Sequence, residues 1–337
     1  MTAMTMAGAI NRGMRAAMER DPKVLLMGED IGQLGGVFRV TDGLWKDFGP
    51  DRVMDTPLAE SGIVGTAIGM AMRGYRPVIE IQFDGFIFPA FDQITTQLAK
   101  MHYRSRGLIN LPVVIRVPFA GHIGAVEHHS ESPEALFAHT PGLRIVSPAT
   151  PQDAYDMIQQ AIASPDPYLF FEPKARYWDK AEVDEARVAT QLSGEHGASA
   201  ATAELSRGRV AREGKDVTLV AYGPTVRLAM QVADVAASEG RSIEVVDLRS
   251  ISPLDSATVV RSAKRTGRVV IVHEAPTAFG TGAELAARVM EQAFFHLHAP
   301  VLRVGGFSTP YPGSKFEHDY LPNLDRVLDA VDRVMTH

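Results

Sequence analysis

Residues 77–119, PVIEIQFDGFIFPAFDQITTQLAKMHYRSRGLINLPVVIRVPF, determine the fold that we expect for this chain. The two ends of this stretch, 77–83 and 112–119, are short runs rich in β-branched residues, which are typical of buried strands. The segment between them, 88–105, has helical spacing and the length of a crossover between parallel strands. A strand, a helix and a strand in this order predict a doubly wound α/β domain.

The same alternation continues on both sides of this stretch. Further apolar runs, again typical of strands, lie at 24–30, 143–149, 167–173, 217–223, 243–249, 268–276 and 301–306. The rhythm is lost in between, where Ala, Ser, Gly, Glu and Arg dominate and no apolar period is sustained. The pattern therefore predicts two doubly wound, mainly parallel-sheet domains, at 1–185 and 213–337, joined by a linker at 186–212.

Composition excludes several classes of protein. The formal net charge of -6 argues against a nucleic-acid binder, which would need basic patches to neutralise phosphates. The chain has no cysteine, so it has no disulfide and no thiolate site, and a cytoplasmic protein is expected. Residues 1–21 have helical spacing but carry Asn, Arg and Glu, so they fit neither a signal peptide nor a membrane span. A small molecule or another protein is the expected partner.

Glu60 is the first candidate for chemistry. The ten residues that follow it contain no ionisable side chain, and Gly62, Gly65 and Gly69 form a smooth stripe at helical spacing. Such apolar surroundings would favour the protonated form of a carboxyl at the start of the helix. The alternative is that Glu60 only complements the positive end of the helix dipole. Taken alone, the pattern favours this second interpretation.

A histidine-rich stretch at 121–142, GHIGAVEHHSESPEALFAHTPG, is the second candidate. Loops that follow parallel strands are well placed for ligand contact and proton transfer. The adjacent residues His128 and His129 cannot share one face, so at most one of them is expected to point inward. A solvated pair of loop histidines remains an equally open interpretation.

Glycine-rich segments and metal motifs are less informative. The runs GQLGG (32–36) and FGTG (279–282) lack the spacing of dinucleotide-binding and P-loop motifs, so tight turns explain them better than a nicotinamide site does. The chain also contains neither HExxH nor a Cys/His pattern with the spacing of zinc ligands.

Over essentially its whole length the chain resembles the beta subunits of heterotetrameric pyruvate and branched-chain 2-oxo acid dehydrogenases, which are related to transketolase. The resemblance rests on separate blocks in order, among them GEDIGQLGGVFRVTDGL (28–44), DTPLAESGIVGTAIGMA (55–71), IEIQFDGFIFPAFDQI (79–94), HHSESPEALFAHTPGLRIVSPATPQDA (128–154) and EVVDLRSISPLD (244–255). It implies the decarboxylating E1 component of such a complex, which passes an acyl group to lipoamide. The runs GGVFRVT and EHHSES look closer to the branched-chain enzymes. A pyruvate or acetoin dehydrogenase subunit and a non-catalytic α/β scaffold subunit are the alternatives.

The resemblance also assigns roles to residues. In this family the glutamate at the position of Glu60 contacts N1′ of the thiamine aminopyrimidine, and a protonated carboxyl there promotes activation of the cofactor. Leu58, Gln82 and Phe86 would line the pyrimidine pocket, although the family often has Tyr at the position of Phe86. His129 would assist acyl transfer to lipoamide. His128 is then a bystander, unless the match is wrong by one residue.

Cofactors and partners follow from the same resemblance. Neither DG pair of the chain, at 42–43 or 84–85, belongs to the GDG motif with which thiamine enzymes hold magnesium and diphosphate. The alpha subunit would therefore hold that end of thiamine diphosphate, in an α2β2 heterotetramer with a second beta subunit. The subunit-binding and lipoyl domains of the E2 acyltransferase are further expected partners. Family members often bind a structural potassium ion through main-chain carbonyls, here those of Val113, Ala161, Ile162, Ser164 and Asp166.

Overall fold

The computed structural model describes residues 1–193 and 197–337 and divides the chain into two compact units. Residues 194–196, which belong to the predicted linker, lie outside the described residues. The ranges of the units are Met1–Phe119 with Leu136–Leu205 for unit 1, and Ala120–Ala135 with Ser206–His337 for unit 2.

The strands are β1 Thr2–Thr5, β2 Val24–Gly28, β3 Val53–Asp55, β4 Arg76–Glu80, β5 Val114–Phe119, β6 Arg144–Val146, β7 Tyr168–Pro173, β8 Lys180–Val183, β9 Arg209–Arg212, β10 Val217–Ala221, β11 Ile243–Asp247, β12 Ser250–Ser252, β13 Val269–Pro276 and β14 Leu302–Gly306. The α-helices are α1 Met6–Arg20, α2 Leu44–Phe48, α3 Glu60–Met72, α4 Met101–Arg104, α5 Glu134–Ala138, α6 Pro151–Ala163, α7 Ala186–Leu192, α8 Gly197–Leu205, α9 Thr225–Ser238, α10 Ser256–Thr266, α11 Thr281–Ala293, α12 Glu317–Tyr320 and α13 Leu324–Met335.

Unit 1 is built on six parallel strands in the order β6-β7-β5-β4-β2-β3. Every residue of β2, β5 and β7 is buried, as expected for strands that are covered on both faces. The strand β1 pairs with β8 in a separate antiparallel ribbon. The prediction of a doubly wound, mainly parallel α/β fold is therefore confirmed for this unit.

The first helix of the chain shows how closely the layers of unit 1 pack. The Thr5 hydroxyl caps α1 by accepting a hydrogen bond from the Gly8 amide at 3.0 Å. Helix α1 then lies against α6, and a Cβ added to Gly13 would meet Ile158 Cγ2 at 2.4 Å. Only glycine therefore allows this approach of the two helices.

The crossover between β4 and β5 differs from the single helix predicted at 88–105. It consists of a 3-10 helix, Asp84–Ala90, a π-helix, Gln93–Leu98, and the short α4. Pro89 lies within the 3-10 helix, where it has no amide hydrogen to donate to an earlier carbonyl. The wider π turn is visible where the Ala99 amide donates to the carbonyl of Ile94 at 3.0 Å.

Unit 2 contains a five-stranded sheet in the order β14-β13-β10-β11-β9. The first four strands are parallel, and β9 is antiparallel to β11 at one edge. Helix α10 is capped by Asp255, whose carboxylate accepts from the Thr258 amide, and it ends at Gly267, which has a φ of 69°. The predicted second parallel α/β unit is thus confirmed, with one antiparallel strand added.

Two segments are arranged in a way that the alternation of strands and helices did not indicate. Within the range assigned to the linker, α7 and α8 belong to unit 1 and β9 belongs to unit 2. The segment Ala120–Ala135, which follows β5, belongs to unit 2 although the chain then returns to unit 1. In the described part of the chain, no helix combines the length and the low polarity needed to cross a bilayer.

Candidate functional site

The carboxyl ends of three neighbouring strands of unit 1 bring the candidate residues together. The strand β2 lies between β3 and β4, and Gly28 is in register with Asp55 on one side and with Glu80 on the other. The residues that directly follow these strands therefore meet at one edge of the sheet, where ligands bind in doubly wound folds. This edge carries Glu29, Leu58, Glu60, Gln82 and Phe86, and we call it the carboxyl edge.

Glu60 begins α3 and is only 8% exposed. Its carboxyl group lies at the positive end of the helix, as the dipole interpretation requires. Among the described residues, however, the structure records no hydrogen bond to this carboxyl group, and the preceding Ala59 offers no side-chain cap. A buried carboxyl group without a protein partner is suited to contact a ligand.

Glu29, directly after β2, is a functional candidate that the sequence analysis missed. Its side chain is buried and accepts a hydrogen bond from the backbone of Ala59, but its Oε1 atom has no hydrogen-bond partner within residues 1–193 and 197–337. Burial raises the pKa of Glu29, and the nearby charges of Glu60 and Asp30 raise it further. The only signal in the sequence is a carboxyl directly after a fully apolar strand.

The other three candidates add apolar and aromatic surface to the carboxyl edge. Leu58 is 82% exposed, which is unusual for a leucine beside a buried carboxyl group. The Gln82 amide donates to the carboxylate of Asp30 at 3.2 Å and so connects the ends of β4 and β2. Phe86 packs edge to face on Phe83, with 5.7 Å between the ring centroids.

Two groups of buried ion pairs lie next to the carboxyl edge, on or directly after the strands of unit 1. Lys174, just after β7, pairs at 2.8 Å with Asp84 at the start of the 3-10 helix that carries Phe86, and both side chains are fully buried. Arg116 on β5 pairs at 2.6 Å with both Glu80 and Glu172. Burial alone would lower the pKa of Arg116, but the two carboxylates raise it above its usual range. Buried charges of this kind persist only when they are paired.

The predicted histidine pair lies in unit 2, on a 3-10 helix at Glu127–His129. The rings of His128 and His129 contact each other, with 4.4 Å between their centroids. The His128 side chain is 51% exposed, whereas His129 is half-buried. Of the two, His129 is therefore the more enclosed.

Three of the five carbonyl groups proposed for potassium, those of Val113, Ile162 and Ser164, already accept hydrogen bonds from protein donors. The Arg76 guanidinium donates to the Ile162 carbonyl at 2.8 Å and to the Ser164 carbonyl at 3.1 Å. The Tyr168 amide donates to the carbonyl of Val113 at 2.9 Å. A guanidinium thus supplies positive charge at two of these carbonyl groups, those of Ile162 and Ser164, which argues against an additional ion at those two.

The carboxyl edge, by contrast, fits the pyrimidine end of thiamine diphosphate. Among the described residues, it offers a buried carboxyl group without a hydrogen-bond partner, a second carboxyl with one unpartnered oxygen, an exposed aliphatic side chain and a half-buried aromatic ring. A flat ring with polar nitrogens needs this combination of polar and apolar contacts. Across residues 1–193 and 197–337, no three His, Asp or Glu side chains are arranged to hold a metal ion.

Comparison with protein families gives two matches. Residues 2–179 match the model of the transketolase pyrimidine-binding domain, and residues 206–327 match that of the transketolase C-terminal domain. A solved structure described as a split-gene transketolase, inactive beta4 tetramer, has a TM-score of 0.78 at 24% identity. The match covers 99% of this chain and 98% of that one. This likeness confirms the fold.

Similar sequences carry two kinds of name. The chain is 58% identical to the pyruvate dehydrogenase E1 component subunit beta of Leifsonia xyli, over 99% of this chain and 95% of the relative. It is 50% identical to the 3-methyl-2-oxobutanoate dehydrogenase subunit beta of Mycobacterium tuberculosis, over 98% of this chain and 92% of the relative. It is also 43% identical to the 2-oxoisovalerate dehydrogenase subunit beta of Dictyostelium discoideum, over 99% and 87% of the two chains.

Proposed function

This chain belongs to the family of 2-oxo acid dehydrogenase E1 beta subunits, built from the two transketolase domains, and we propose that it works with an alpha subunit to decarboxylate a 2-oxo acid and pass the acyl group to lipoamide. The observation that carries the proposal is Glu60, buried beside Glu29 at the carboxyl edge without a hydrogen-bond partner among the described residues. Most buried carboxylates with a purely structural role are paired.

Each residue of the carboxyl edge has a task in this proposal. Thiamine diphosphate, when bound, supplies the nucleophilic carbon that attacks the 2-oxo group. Glu60 would donate a proton in a hydrogen bond to a pyrimidine nitrogen, and Glu29, whose own pKa is raised by burial, would lie beside it. Phe86 and Leu58 would cover the faces of the ring, and Gln82 would add a polar contact at its rim.

In this proposal, partner proteins supply the site for magnesium and diphosphate and the acceptor of the acyl group. An alpha subunit would hold magnesium and the diphosphate, and two chains of each kind would form an α2β2 assembly. The acyl group would pass to the lipoyl domain of an E2 acyltransferase, whose subunit-binding domain would also dock. In the acyl-transfer step His129 would donate or accept a proton, a role that an imidazole fills near neutral pH.

A branched-chain 2-oxo acid is the first candidate substrate. The runs GGVFRVT and EHHSES favour it, and relatives at 50% and 43% identity carry branched-chain names. Pyruvate is the second candidate, because the relative at 58% identity is named a pyruvate dehydrogenase subunit. Turnover of 3-methyl-2-oxobutanoate, pyruvate and acetoin by the reconstituted tetramer decides between them. A clear preference for pyruvate or acetoin would overturn the branched-chain proposal.

Glu60→Gln tests the role of the carboxyl edge. An amide cannot exchange the proton in the same way, so we expect decarboxylation to fall by at least about hundredfold. Assembly with the alpha subunit, measured by size-exclusion chromatography, should be unchanged. The exposed Glu182 provides a matched control as Glu182→Gln. Full activity of Glu60→Gln would instead support a scaffold subunit.

His129→Ala tests the acyl-transfer step. We expect it to leave cofactor binding intact, as measured by calorimetric titration, and to slow the reductive acylation of the lipoyl domain by about 10²-fold or more. His128→Ala is the matched control because its side chain is the more exposed of the pair. If only His128→Ala slows the reaction, the two assignments must be exchanged.

A further inference from the structure

The loop that carries the two histidines has an unusual backbone at its start. Ala120, His122 and Gly124 have φ angles of 72°, 69° and 70°, in the left-handed region. Two of these residues have side chains, and each such conformation costs of the order of 1–3 kcal/mol unless the surroundings enforce it. Something in unit 2 must therefore hold this part of the loop in place.

Two glutamates from later in unit 2 supply that restraint. The Glu317 Oε1 atom accepts from the His122 amide at 2.9 Å and from the Gly124 amide at 3.3 Å. The Glu274 Oε2 atom accepts from the Gly121 amide at 2.8 Å. Successive amides that converge in this way form a concave anion-binding nest. Here the anions are carboxylates of the same chain.

A tyrosine completes this arrangement. The Tyr311 hydroxyl donates to the same oxygen of Glu317 at 2.7 Å, and burial together with Glu317 raises the pKa of Tyr311, so it stays a donor. A Cβ on Gly121 would lie 2.1 Å from the Tyr311 hydroxyl oxygen. The loop therefore rests directly on this tyrosine, and no larger residue fits at Gly121.

The far end of the same loop is anchored separately. The hydroxyl of Tyr222 donates to the carboxylate of Glu134, and both side chains are buried. Between the two anchors the chain exposes His128 and part of His129. The loop that carries the histidine pair is thus held by side-chain contacts at both of its ends.

From this geometry we propose that Glu317 is a positioning residue, whose carboxylate binds the backbone amides of His122 and Gly124 and thereby holds the histidine loop ready for acyl transfer. The inference rests on the proposed function, because it assigns the loop to the lipoyl step. Glu274 assists by holding the Gly121 amide. Glu317 acts through the backbone of the loop, because it accepts from the His122 and Gly124 amides.

Glu317→Ala in the reconstituted tetramer tests the proposal through two half-reactions. Decarboxylation is followed with an artificial electron acceptor, and acyl transfer is followed with an isolated lipoyl domain. We expect acyl transfer to fall at least about tenfold more than decarboxylation, mainly in kcat, because the loop is misplaced. Asp319→Ala, on the same short helix and 81% exposed, is the control without effect.

Two further measurements separate positioning from a general loss of structure. Hydrogen exchange at the amides of residues 121–124 should accelerate in Glu317→Ala, while β13 stays protected. Glu317→Gln should retain much of the acyl transfer because its amide oxygen can still accept, and added formate should partly rescue Glu317→Ala by entering the nest.

The outcomes are distinguishable. Equal loss in both half-reactions, or unchanged exchange and unchanged acyl transfer in Glu317→Ala, would overturn the positioning role. Absence of decarboxylation by the wild-type tetramer with every 2-oxo acid would instead refute the proposed function. In that case the exchange measurement still decides whether Glu317 holds the loop.

Discussion

Glu29 and Glu60 form a pair of buried carboxyl groups, and their proximity lowers the free energy of unfolding when Glu29 is charged. Burial and the charge of Glu60 raise the pKa of Glu29. The native protein therefore binds more protons than the unfolded chain between the ordinary glutamate pKa of about 4.3 and the raised native value. In that window the free energy of unfolding falls as pH rises. A ligand that accepts a hydrogen bond from the pair would recover this loss.

The first prediction is that Glu29→Gln stabilises the ligand-free protein at pH 7, because the amide cannot acquire the unfavourable charge. The gain should vanish below about pH 4, where the wild-type carboxyl is protonated in both states. Urea unfolding between pH 4 and pH 8 measures it, with Glu182→Gln as the control. A variant less stable than the wild type at pH 8 would contradict the argument.

At the level of single residues, the sequence indicated one member of the carboxyl pair, Glu60, but not the other, Glu29. Glu60 was found because it begins a long stretch without charges and matches a family block. Glu29 was missed because GED looks like an ordinary strand end, and its role appears only when the ends of β2 and β3 are brought together. The contacts of Arg76 with the carbonyl groups at the end of α6 were also not predictable, because they join residues more than 80 positions apart.

Among the secondary structure elements, the 3-10 helix Asp84–Ala90 depends on a buried ion pair with Lys174. The second prediction is that Lys174→Met destabilises the protein by about 3–5 kcal/mol, because it leaves the Asp84 charge buried without this cation. The double variant with Asp84→Asn should recover much of the loss. Urea unfolding measures both variants. A small effect in the single variant would show that Asp84 is neutral in the native state.

Arg76, at the start of β4, holds the carbonyl groups at the end of α6. The third prediction is that Arg76→Met lowers the free energy of unfolding by about 2 kcal/mol through loss of these charge-assisted hydrogen bonds. The wild type should melt at the same temperature in potassium chloride and in choline chloride of equal ionic strength. A specific stabilisation by potassium would show that an ion binds beside the guanidinium.

Strands were easier to predict than the helical crossover at 88–105. Continuous apolar runs marked β2, β4, β5 and β7, since a strand covered on both faces needs apolar residues at every position. The π turn at Gln93–Leu98 was not predictable from periodicity. Its geometry depends on local bonds, such as the one from the Thr95 hydroxyl to the Phe91 carbonyl at 2.8 Å.

For the molecule as a whole, the buried His273 on β13 is expected to lower the free energy of unfolding at acidic pH. Burial lowers the pKa of His273 to about 4, and its Nδ1 atom lies 2.9 Å from the Ala275 carbonyl. Gly280 and Gly282 enclose the ring, because a Cβ at either position would approach it within 2.8 Å. The unfolded chain therefore binds one more proton than the native protein between the ordinary histidine pKa of about 6.5 and the lowered value.

The fourth prediction follows from this difference in proton binding. Stability should fall as pH drops through this window, by about 3 kcal/mol in total. His273→Asn, which keeps a donor for the Ala275 carbonyl, should remove this part of the acid sensitivity. Unfolding measured from pH 7 to pH 4 tests it, with the exposed His318→Asn as the control. An unchanged pH slope in His273→Asn would place the sensitivity elsewhere.

The two units were predicted from the break in alternation, but their connectivity was not. The chain passes between them three times, at 119/120, 135/136 and 205/206. Nothing in the periodicity marks the first two passages, because the segment Ala120–Ala135 has no apolar strand of its own. Its place is set by carboxylates that lie about 150 to 195 positions further along the chain.

This interleaving restricts how hybrids of such subunits can be made. Consider a chimera that takes its carboxy-terminal half from a related subunit. Its loop at 120–135 comes from one protein and the carboxylates that bind the loop amides come from the other, so a mismatch between the two misplaces the loop. A successful exchange must therefore move both stretches of the gene together. We expect substitutions in the loop at 120–135 to be correlated, among related sequences, with substitutions around Glu274 and Glu317.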